Sequence, residues 1–371
     1  MTSWFTAADC RLEDFRAIVE QPTQRSDFPD AIDVAQNVLI YPGDLPDTTE
    51  VRAELARALM DGPGIVVFRG AFATDVVDRA TEVFAGLIAD QHRAGVVGGD
   101  HFAKPGANDR VWGALDKFAL RDPEAFAAYY DNPTLALISA AWLGAGYQIT
   151  SQVNVVNPGG QAQVAHRDYH LGFMSGAQAS RFPAHVHLLS PVLTLQGAVA
   201  HVDMPVETGP TLYLPHSQKY PPGYLAFHQP GFTAYFDAHH VQLPLTKGDA
   251  AFFNPALFHG AGTNRSADVR RMANLLQISS AFGRAMETVD RTAMCEALYP
   301  VLLGYEGSTD HVVAASAEGY AFPTNLDRDQ PIGGLAPPTQ AELMRQALSE
   351  RWDPATFTKA VHDQRNRRAA G

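Results

Sequence analysis

The sequence predicts a mixed α+β, mainly β protein, in which a sandwich or barrel of strands is flanked by helices. Short runs that alternate or stay apolar follow one another between residues 146 and 282, separated by glycine or proline turns. Apolar stripes with helical spacing precede this block and return after it. The 30 glycines and 25 prolines suit many short strands joined by tight turns. Several short strands with such turns are typical of sandwiches and barrels.

The composition is that of a globular protein with a substantial core, since 46% of the 371 residues are hydrophobic. The net charge of −12 argues against a nucleic-acid partner, which would need a basic face. Cys10 and Cys295 are too few for a disulfide framework, so we expect a reducing, cytoplasmic setting. We expect no signal peptide and no membrane partner, because no apolar run approaches the roughly 20 residues of a membrane span. The oligomeric state is left open.

Residues 45–145 predict a flank of helices and one strand. Residues 51–59 carry a one-sided apolar stripe behind capping residues, which is typical of a helix. The run 65–68 is apolar and rich in β-branched residues, and predicts a buried strand. Further helices are expected over residues 75–90 and 133–143.

Between residues 91 and 131 the pattern is irregular and rich in glycine, and it contains His101 and Trp112. Long loops of this kind often cover functional sites, so both residues are candidate substrate contacts. A surface loop with one aromatic anchor explains either residue equally well.

The central block, residues 146–282, is expected to form the β core. We predict its strands at residues 147–156, 161–168, 185–189, 192–202, 209–214, 250–258 and 272–279. Residues 283–371 return to helix and loop. The chain is therefore interpreted as one domain, 1–371, with an extension on each side of the core.

Two candidate metal ligands lie in the predicted strand over residues 161–168. Side chains two apart on a strand share a face, so His166 and Asp168 project together. An imidazole and a carboxylate are two of the three ligands of a facial Fe(II) site. His259 ends an apolar strand and is followed by small residues, which makes it the best candidate for the third ligand.

A cation follows the third candidate ligand. Arg270 stands eleven residues after His259 and can hold a carboxylate by two parallel hydrogen bonds. We expect Arg270 to face the site and to lack a partner until an anion binds. Arg271 is then expected to point to the other face of the strand.

This ordered combination resembles the phytanoyl-CoA dioxygenase family. The resemblance is carried by His-x-Asp at 166–168, His-Gly-x-Gly at 259–262 and the arginine eleven residues beyond the histidine. The stretch 208–215, Thr-Gly-Pro-Thr-Leu-Tyr-Leu-Pro, is similar to a family strand that leads into a proline turn. The resemblance covers residues 150–280 and, in outline, 45–150. It implies a double-stranded β-helix, which is a jelly-roll or cupin-like barrel.

The resemblance also implies a reaction. His166, Asp168 and His259 would bind Fe(II) and leave three positions for a chelating 2-oxo acid and O2. Arg270 would hold the far carboxylate of 2-oxoglutarate, and Asn154 is a further amide donor to it. The expected reaction hydroxylates or otherwise oxidises a C–H bond of a small organic substrate, with release of succinate and CO2. Halogenating relatives have a small residue in place of Asp168, so its carboxylate favours hydroxylation.

The sequence departs from the family in two residues near the expected site. Ala261 stands two residues after His259, where the family often has serine. Ala198 replaces a large aromatic residue on a core strand, which leaves room in the site.

Other histidines and one tyrosine are further candidates for the site. Tyr169 and His170 follow the ligand run and are candidate substrate contacts. His170 lies on the same predicted strand face as His166, but a fourth ligand would block oxygen chemistry, which favours a role beside the site. The pairs 185/187 and 239/240 have no carboxylate at strand spacing, and we interpret them as ordinary.

Two other functions remain open at this point. A cupin-like metal enzyme that does not use 2-oxoglutarate would keep its activity in an Arg270→Ala variant. A non-catalytic barrel that binds a small molecule would hold no metal. The sequence does not identify the substrate.

Overall fold

The computed structural model describes residues 3–95 and 108–370. Its strands, in chain order, are β1 Asp33–Ala35, β2 Val38–Pro42, β3 Ile65–Arg69, β4 Asn108–Val111, β5 Gln148–Val156, β6 Thr194–Ala200, β7 Leu212–Leu214, β8 Val241–Gln242, β9 Ala250–Phe253, β10 Phe258–Gly260 and β11 Arg271–Ser279. Its α-helices are α1 Leu12–Val19, α2 Thr49–Met60, α3 Thr74–Arg93, α4 Ala114–Arg121, α5 Pro123–Tyr130, α6 Pro133–Leu143, α7 Gly176–Ala179, α8 Ala184–Val192, α9 Gly223–Ala226, α10 Pro230–His239, α11 Arg291–Leu302, α12 Thr309–Ser316, α13 Gln340–Glu350 and α14 Pro354–Arg368.

Eight strands form one large sheet, in the order β1-β2-β3-β9-β6-β11-β5-β4. Its neighbouring strands pair antiparallel, except β2 and β3, which run parallel. The part of the chain before the predicted core thus supplies β1, β2, β3 and β4 to this sheet. Of these, only β3 was predicted, although β2 is an apolar run of the same length.

A smaller sheet, in the order β10-β7-β8, faces the large one across a cavity. The run that carries His166 lies beside β10, although it is far from β10 in sequence. A single bridge, between His166 and His259, joins this run to the small sheet. The predicted α+β class with a double-stranded β-helix core is confirmed. The cavity between the sheets is where the site residues meet.

Alternation along the strands decides which side chains enter the cavity. On β11, Met272 and Ile278 point away from it and join the main core, which packs against the helices. The opposite face of the same strand carries Ala273 and Gln277, which line the cavity. A second core lies behind the small sheet, where Phe15 of α1 and the side chains of α10 pack on β10.

One predicted strand is a helix. Residues 185–189 lie in α8, not in a strand, so that prediction was wrong. A short apolar run fits both periods, and here Pro183 precedes the first helical residue. His187 of this helix is buried and donates through Nε2 to the carbonyl of Ala179 (3.0 Å), which agrees with its interpretation as an ordinary histidine.

The C-terminal helices pack onto the large sheet through a buried cation. Arg291, the first residue of α11, donates to the carbonyls of Ala315 (3.4 Å) and Ser316 (3.2 Å) at the end of α12, and to Ile149 of β5 (2.9 Å). This side chain therefore joins two helices to one strand. Within the described part of the chain, no helix combines the length and apolarity needed to cross a bilayer.

Candidate metal centre

Backbone hydrogen bonds hold the two predicted histidine ligands opposite each other. The N–H of His166 donates to the carbonyl of His259 (3.0 Å), and the N–H of His259 donates back to His166 (3.1 Å). The N–H of Asp168 donates to Pro255 (2.9 Å). Since proline has no N–H, it cannot return that bond. The predicted strand over 161–168 is thus an extended run with one bridge, not a regular strand.

The three predicted ligands converge. His166 Nε2 lies 3.8 Å from Asp168 Oδ1, and His259 Nε2 lies 3.4 Å from Asp168 Oδ2. One ligand atom from each residue lies within 4.8 Å of the other two. The alternation that places His166 and Asp168 on one face is therefore found, even though the strand is irregular.

Both imidazoles are oriented by their own backbone. His166 Nδ1 donates to the carbonyl of Val164 (2.9 Å), and His259 Nδ1 donates to Leu257 (2.8 Å). A carbonyl only accepts, so each Nδ1 carries the proton and each Nε2 carries the lone pair. In both rings it is Nε2 that lies next to Asp168, which is the tautomer a metal ion requires.

Asp168 is half-buried among groups that favour its charged form. Burial by itself raises the pKa of Asp168, but the adjacent His166 and His259 and the hydrogen bond from Gln196 hold that pKa well below its usual range. Gln196 donates through Nε2 to Asp168 Oδ2 (2.5 Å). Burial, with His259 beside it, lowers the pKa of His166 and keeps that ring neutral.

This donor set fits a ferrous ion. Two neutral imidazoles and one carboxylate form the facial triad that non-haem Fe(II) oxygenases use. The three side chains line one wall of the cavity, so an ion held by them would face its interior. Gln196 supplies the second hydrogen-bonding layer that fixes a carboxylate ligand.

The cavity has a volume of about 650 Å³ and lies between the two sheets. Its inner walls carry alanines on neighbouring strands: Ala198, Ala200, Ala251 and Ala273. These small side chains leave the room that Ala198 suggested in the sequence. The volume lies within the range of sites for small organic ligands.

The two neighbouring arginines are placed the other way round from the prediction. Arg270 has a 60% exposed side chain, which bonds to Asn157 (3.0 Å) and Asp109 (2.9 Å) at the surface. Arg271 is only 7% exposed and lines the cavity. Strand β11 begins at Arg271, opposite Val156, and its alternation sends Arg271 inward. The predicted facing of Arg270 and Arg271 was therefore wrong.

Arg271 lies in the cavity without an acidic partner. One of its amino groups donates to the carbonyls of Thr208 (3.2 Å) and Gly262 (3.3 Å). Among the described residues, no carboxylate lies within ion-pair distance of its guanidinium. Burial lowers the pKa of Arg271 to about 10. A buried cation of this kind is stable only when an anion completes its environment.

Two of the other predicted contacts lie at the cavity. Asn154 lines it, and its Oδ1 is buried without a hydrogen-bond partner among the residues described. Trp112 also lines it, and the guanidinium of Arg110 lies over its ring, 4.3 Å from the centroid. His101 falls outside the described residues.

Tyr169 and His170 leave the ligand run instead of continuing it. Tyr169 has a φ of 64°, and His170 begins a 3-10 turn with a φ of 47°. His170 Nδ1 lies 3.3 Å from the Ser190 hydroxyl and is not part of the ligand cluster. The shared face with His166 was thus wrong. Neither Tyr169 nor His170 is among the described residues that line the cavity. The Tyr169 hydroxyl lies 3.9 Å from the sulfur of Met286, which does line it.

The cavity residues that the sequence did not single out include Gln196, Gln277 and Arg110. Each glutamine follows a leucine in a mainly apolar strand, and that contrast was the available signal. Arg110 had no signal, because it comes from an irregular stretch whose pairing with β5 depends on long-range contacts.

The model of the phytanoyl-CoA dioxygenase family matches residues 51–272, which is more than half of the chain. The match includes the ligand run, His259 and Arg271. A comparison with curated protein sequences gives no match.

Solved structures give more distant similarities. The non-haem α-ketoglutarate-dependent epimerase SnoN from nogalamycin biosynthesis is 20% identical, with a TM-score of 0.41 over 61% of this chain and 81% of its own. AviO1 from Streptomyces viridochromogenes Tue57 is 16% identical, with a TM-score of 0.44 over 65% and 99%. HygX from Streptomyces hygroscopicus, with nickel and 2-oxoglutarate bound, is 13% identical, with a TM-score of 0.41 over 66% and 91%. At these low scores the similarities assign no substrate or reaction to this chain.

Proposed function

Because the chain belongs to the phytanoyl-CoA dioxygenase family, we propose that it oxidises a C–H bond of a small organic substrate. The enzyme is of the non-haem Fe(II)- and 2-oxoglutarate-dependent class. The proposed reaction consumes O2 and 2-oxoglutarate and releases succinate and CO2. One observation carries the proposal: the triad shares one cavity with a buried arginine that has no acidic partner among the described residues.

We assign the metal to His166, Asp168 and His259. Their Nε2 and carboxylate oxygens already converge, so the ion binds with little rearrangement. A ferrous ion held there supplies the redox chemistry that couples O2 and 2-oxoglutarate to oxidation of the substrate. The protein holds both imidazoles in the ligating tautomer through their Nδ1 bonds.

We assign the far carboxylate of 2-oxoglutarate to Arg271, not to Arg270. The planar guanidinium can bind a carboxylate through two parallel hydrogen bonds, and the two backbone carbonyls fix its orientation. Asn154 lies on β5 opposite Ala273, one inward position along β11 from Arg271. Its amide is a further contact for the cosubstrate.

Hydroxylation is the proposed outcome because Asp168 keeps its carboxylate. His166, Asp168 and His259 would all bind the ion, so the carboxylate of Asp168 would occupy the place that a halide needs. Oxygen from O2 in the product would distinguish hydroxylation from desaturation.

The first prediction separates the two arginines. In Arg271→Leu, we expect the affinity for 2-oxoglutarate to fall by at least about tenfold, because hydrogen bonds to a charged group contribute about 1.5–3 kcal/mol. The matched control, Arg270→Leu, should bind as the parent does, since its partners lie at the surface. The measurement is an anaerobic titration of the Fe(II) protein with 2-oxoglutarate, followed by its charge-transfer absorption.

Two results would count against the proposal. Without the absorption in the parent protein, the chain does not bind 2-oxoglutarate at iron. With equal affinities in both arginine variants, the enzyme does not hold a dicarboxylate at Arg271, and the cupin-like alternative gains.

A further inference from the structure

Two glutamines stand opposite each other at the end of the cavity away from Arg271. Gln196 on β6 pairs in register with Gln277 on β11, and both side chains line the cavity. They are 6% and 8% exposed. Six residues of strand separate Gln277 from Arg271, or roughly 20 Å of backbone. The two ends of the cavity therefore serve different molecules, and the glutamine end is the one left for the substrate.

The amide of Gln196 can have only one orientation. Its Nε2 donates to Asp168 Oδ2, and an ionised carboxylate cannot donate in return. Its Oε1 must then point elsewhere, and it is buried without a hydrogen-bond partner among the described residues. Gln277 Oε1 is in the same state. Buried acceptors are costly unless a donor reaches them, so a ligand with donors completes this wall.

The spacing limits that ligand. Side chains directly opposite on antiparallel strands have Cβ atoms about 4.5–5.5 Å apart. The two amide oxygens can therefore reach neighbouring hydroxyl groups of one molecule. Trp112 and Phe173 line the same cavity and offer apolar surface to its carbon skeleton.

We propose that Gln196 and Gln277 recognise the substrate, and that this substrate is a polyhydroxylated small molecule with neighbouring hydroxyl groups. The inference rests on the proposed function. Gln196 also donates a hydrogen bond to Asp168, the proposed metal ligand. A substrate hydroxyl that binds Gln196 Oε1 would therefore hold the adjoining C–H bond close to the metal. An unsubstituted acyl chain would leave both acceptors buried and unbonded, which a site of this kind rejects.

The test uses matched probes and calorimetry. The protein, loaded anaerobically with Fe(II) and 2-oxoglutarate, is titrated with myo-inositol, methyl α-D-glucopyranoside and 1,2-cyclohexanediol. Cyclohexanol and hexanoate serve as comparison ligands of similar size. We expect at least one polyol to bind about tenfold or more tightly than cyclohexanol, as a second hydrogen bond to a buried acceptor allows.

Variants at Gln277 show whether the acceptor is responsible. Gln277→Leu keeps the volume but removes the oxygen, and we expect about tenfold weaker polyol binding with an unchanged charge-transfer band. Gln277→Glu keeps acceptor oxygens and should retain binding. Gln346→Leu, at an exposed helix position, is the matched control and should bind as the parent does.

The outcomes are distinct for the two proposals. Polyols that bind no better than cyclohexanol, or that bind the Gln277→Leu variant as tightly as the parent, overturn this inference even if the iron site is intact. Absence of the charge-transfer band overturns the proposed function instead, while calorimetry still reports on the glutamines. A Gln277→Leu variant that unfolds is replaced by the comparison of Gln277→Glu with the parent, in which lost polyol binding overturns the inference.

Discussion

Arg167 lies between two proposed ligands in sequence but points to the opposite side of the chain. Its guanidinium is buried between the rings of Tyr224 (5.1 Å) and Phe258 (5.2 Å). It donates to the carbonyls of Ser217 (2.5 Å) and Tyr220 (3.1 Å). Burial lowers the pKa of Arg167 to about 10, yet these contacts favour the cation. The side chain therefore anchors the ligand run to the core behind the small sheet.

A glycine makes room for this anchor, and its substitution gives the first prediction at this scale. A Cβ at Gly223 would overlap the Arg167 guanidinium. We expect Gly223→Ala to lower the free energy of unfolding by about 1–3 kcal/mol and to weaken iron binding, because the ligand run shifts. Gly231→Ala, whose Cβ meets only Leu12 at 3.9 Å, should be neutral or stabilising. Denaturant unfolding measures both; equal stabilities would contradict the anchoring role.

At the scale of elements, a neutral histidine joins two helices to the end of β6. His201 Nδ1 lies 2.8 Å from the Thr81 hydroxyl of α3, which itself donates to Val77. Thr81 therefore accepts from Nδ1, and the Tyr129 hydroxyl of α5 donates to Nε2 (3.0 Å). Burial lowers the pKa of His201 to about 3 from an ordinary 6.5.

This pKa predicts a pH dependence of stability. The unfolded chain binds a proton at this histidine below pH 6.5, whereas the folded protein does so only near pH 3. Stability is therefore full above pH 6.5 and falls by about 1.4 kcal/mol per pH unit below it. We expect His201→Gln to lower stability at pH 7.5 but to flatten this slope between pH 6.5 and 5. Urea unfolding of the parent and the variant at pH 6.5 and at pH 5 measures this slope. Equal slopes in the two proteins would show that His201 is not responsible for it.

Local alternation explains what the sequence could predict at the site. His166 and Asp168 share a face because two residues of extended chain suffice, whatever the rest of the sheet does. The prediction for Arg270 failed for the opposite reason. Which residues of β11 face inward depends on where the strand begins, and the pairing of β11 with β5 decides that. The turn at Tyr169, where φ is positive, likewise has no signal in the neighbouring residues of the sequence.

Over the whole molecule, the candidate metal site brings together parts of the chain that are distant in sequence. His166 and Asp168 belong to an irregular run, and His259 to the small sheet. The overall class was predictable, because many short apolar runs between turns allow few arrangements. The order of the strands in the sheet was not predictable, since β3 pairs with β9, which is distant from it in sequence.

Metal binding should therefore stabilise the entire fold. With free Fe(II) at 100 times its dissociation constant, we expect about 2.7 kcal/mol of added stability and a higher midpoint of thermal unfolding under anaerobic conditions. A chelator should reverse the gain. His259→Ala should abolish it, whereas His185→Ala, an exposed histidine of α8, should not. An equal gain in both variants would place the ion elsewhere.

The reciprocal main-chain bonds between His166 and His259 have a practical consequence. Such bonds do not depend on side-chain identity, so replacing a ligand leaves the walls of the cavity in place. An inert twin of the enzyme can therefore be made that captures its natural reactant from a cell extract and cannot convert it. Mass spectrometry of what the twin retains would then give the reactant its chemical name.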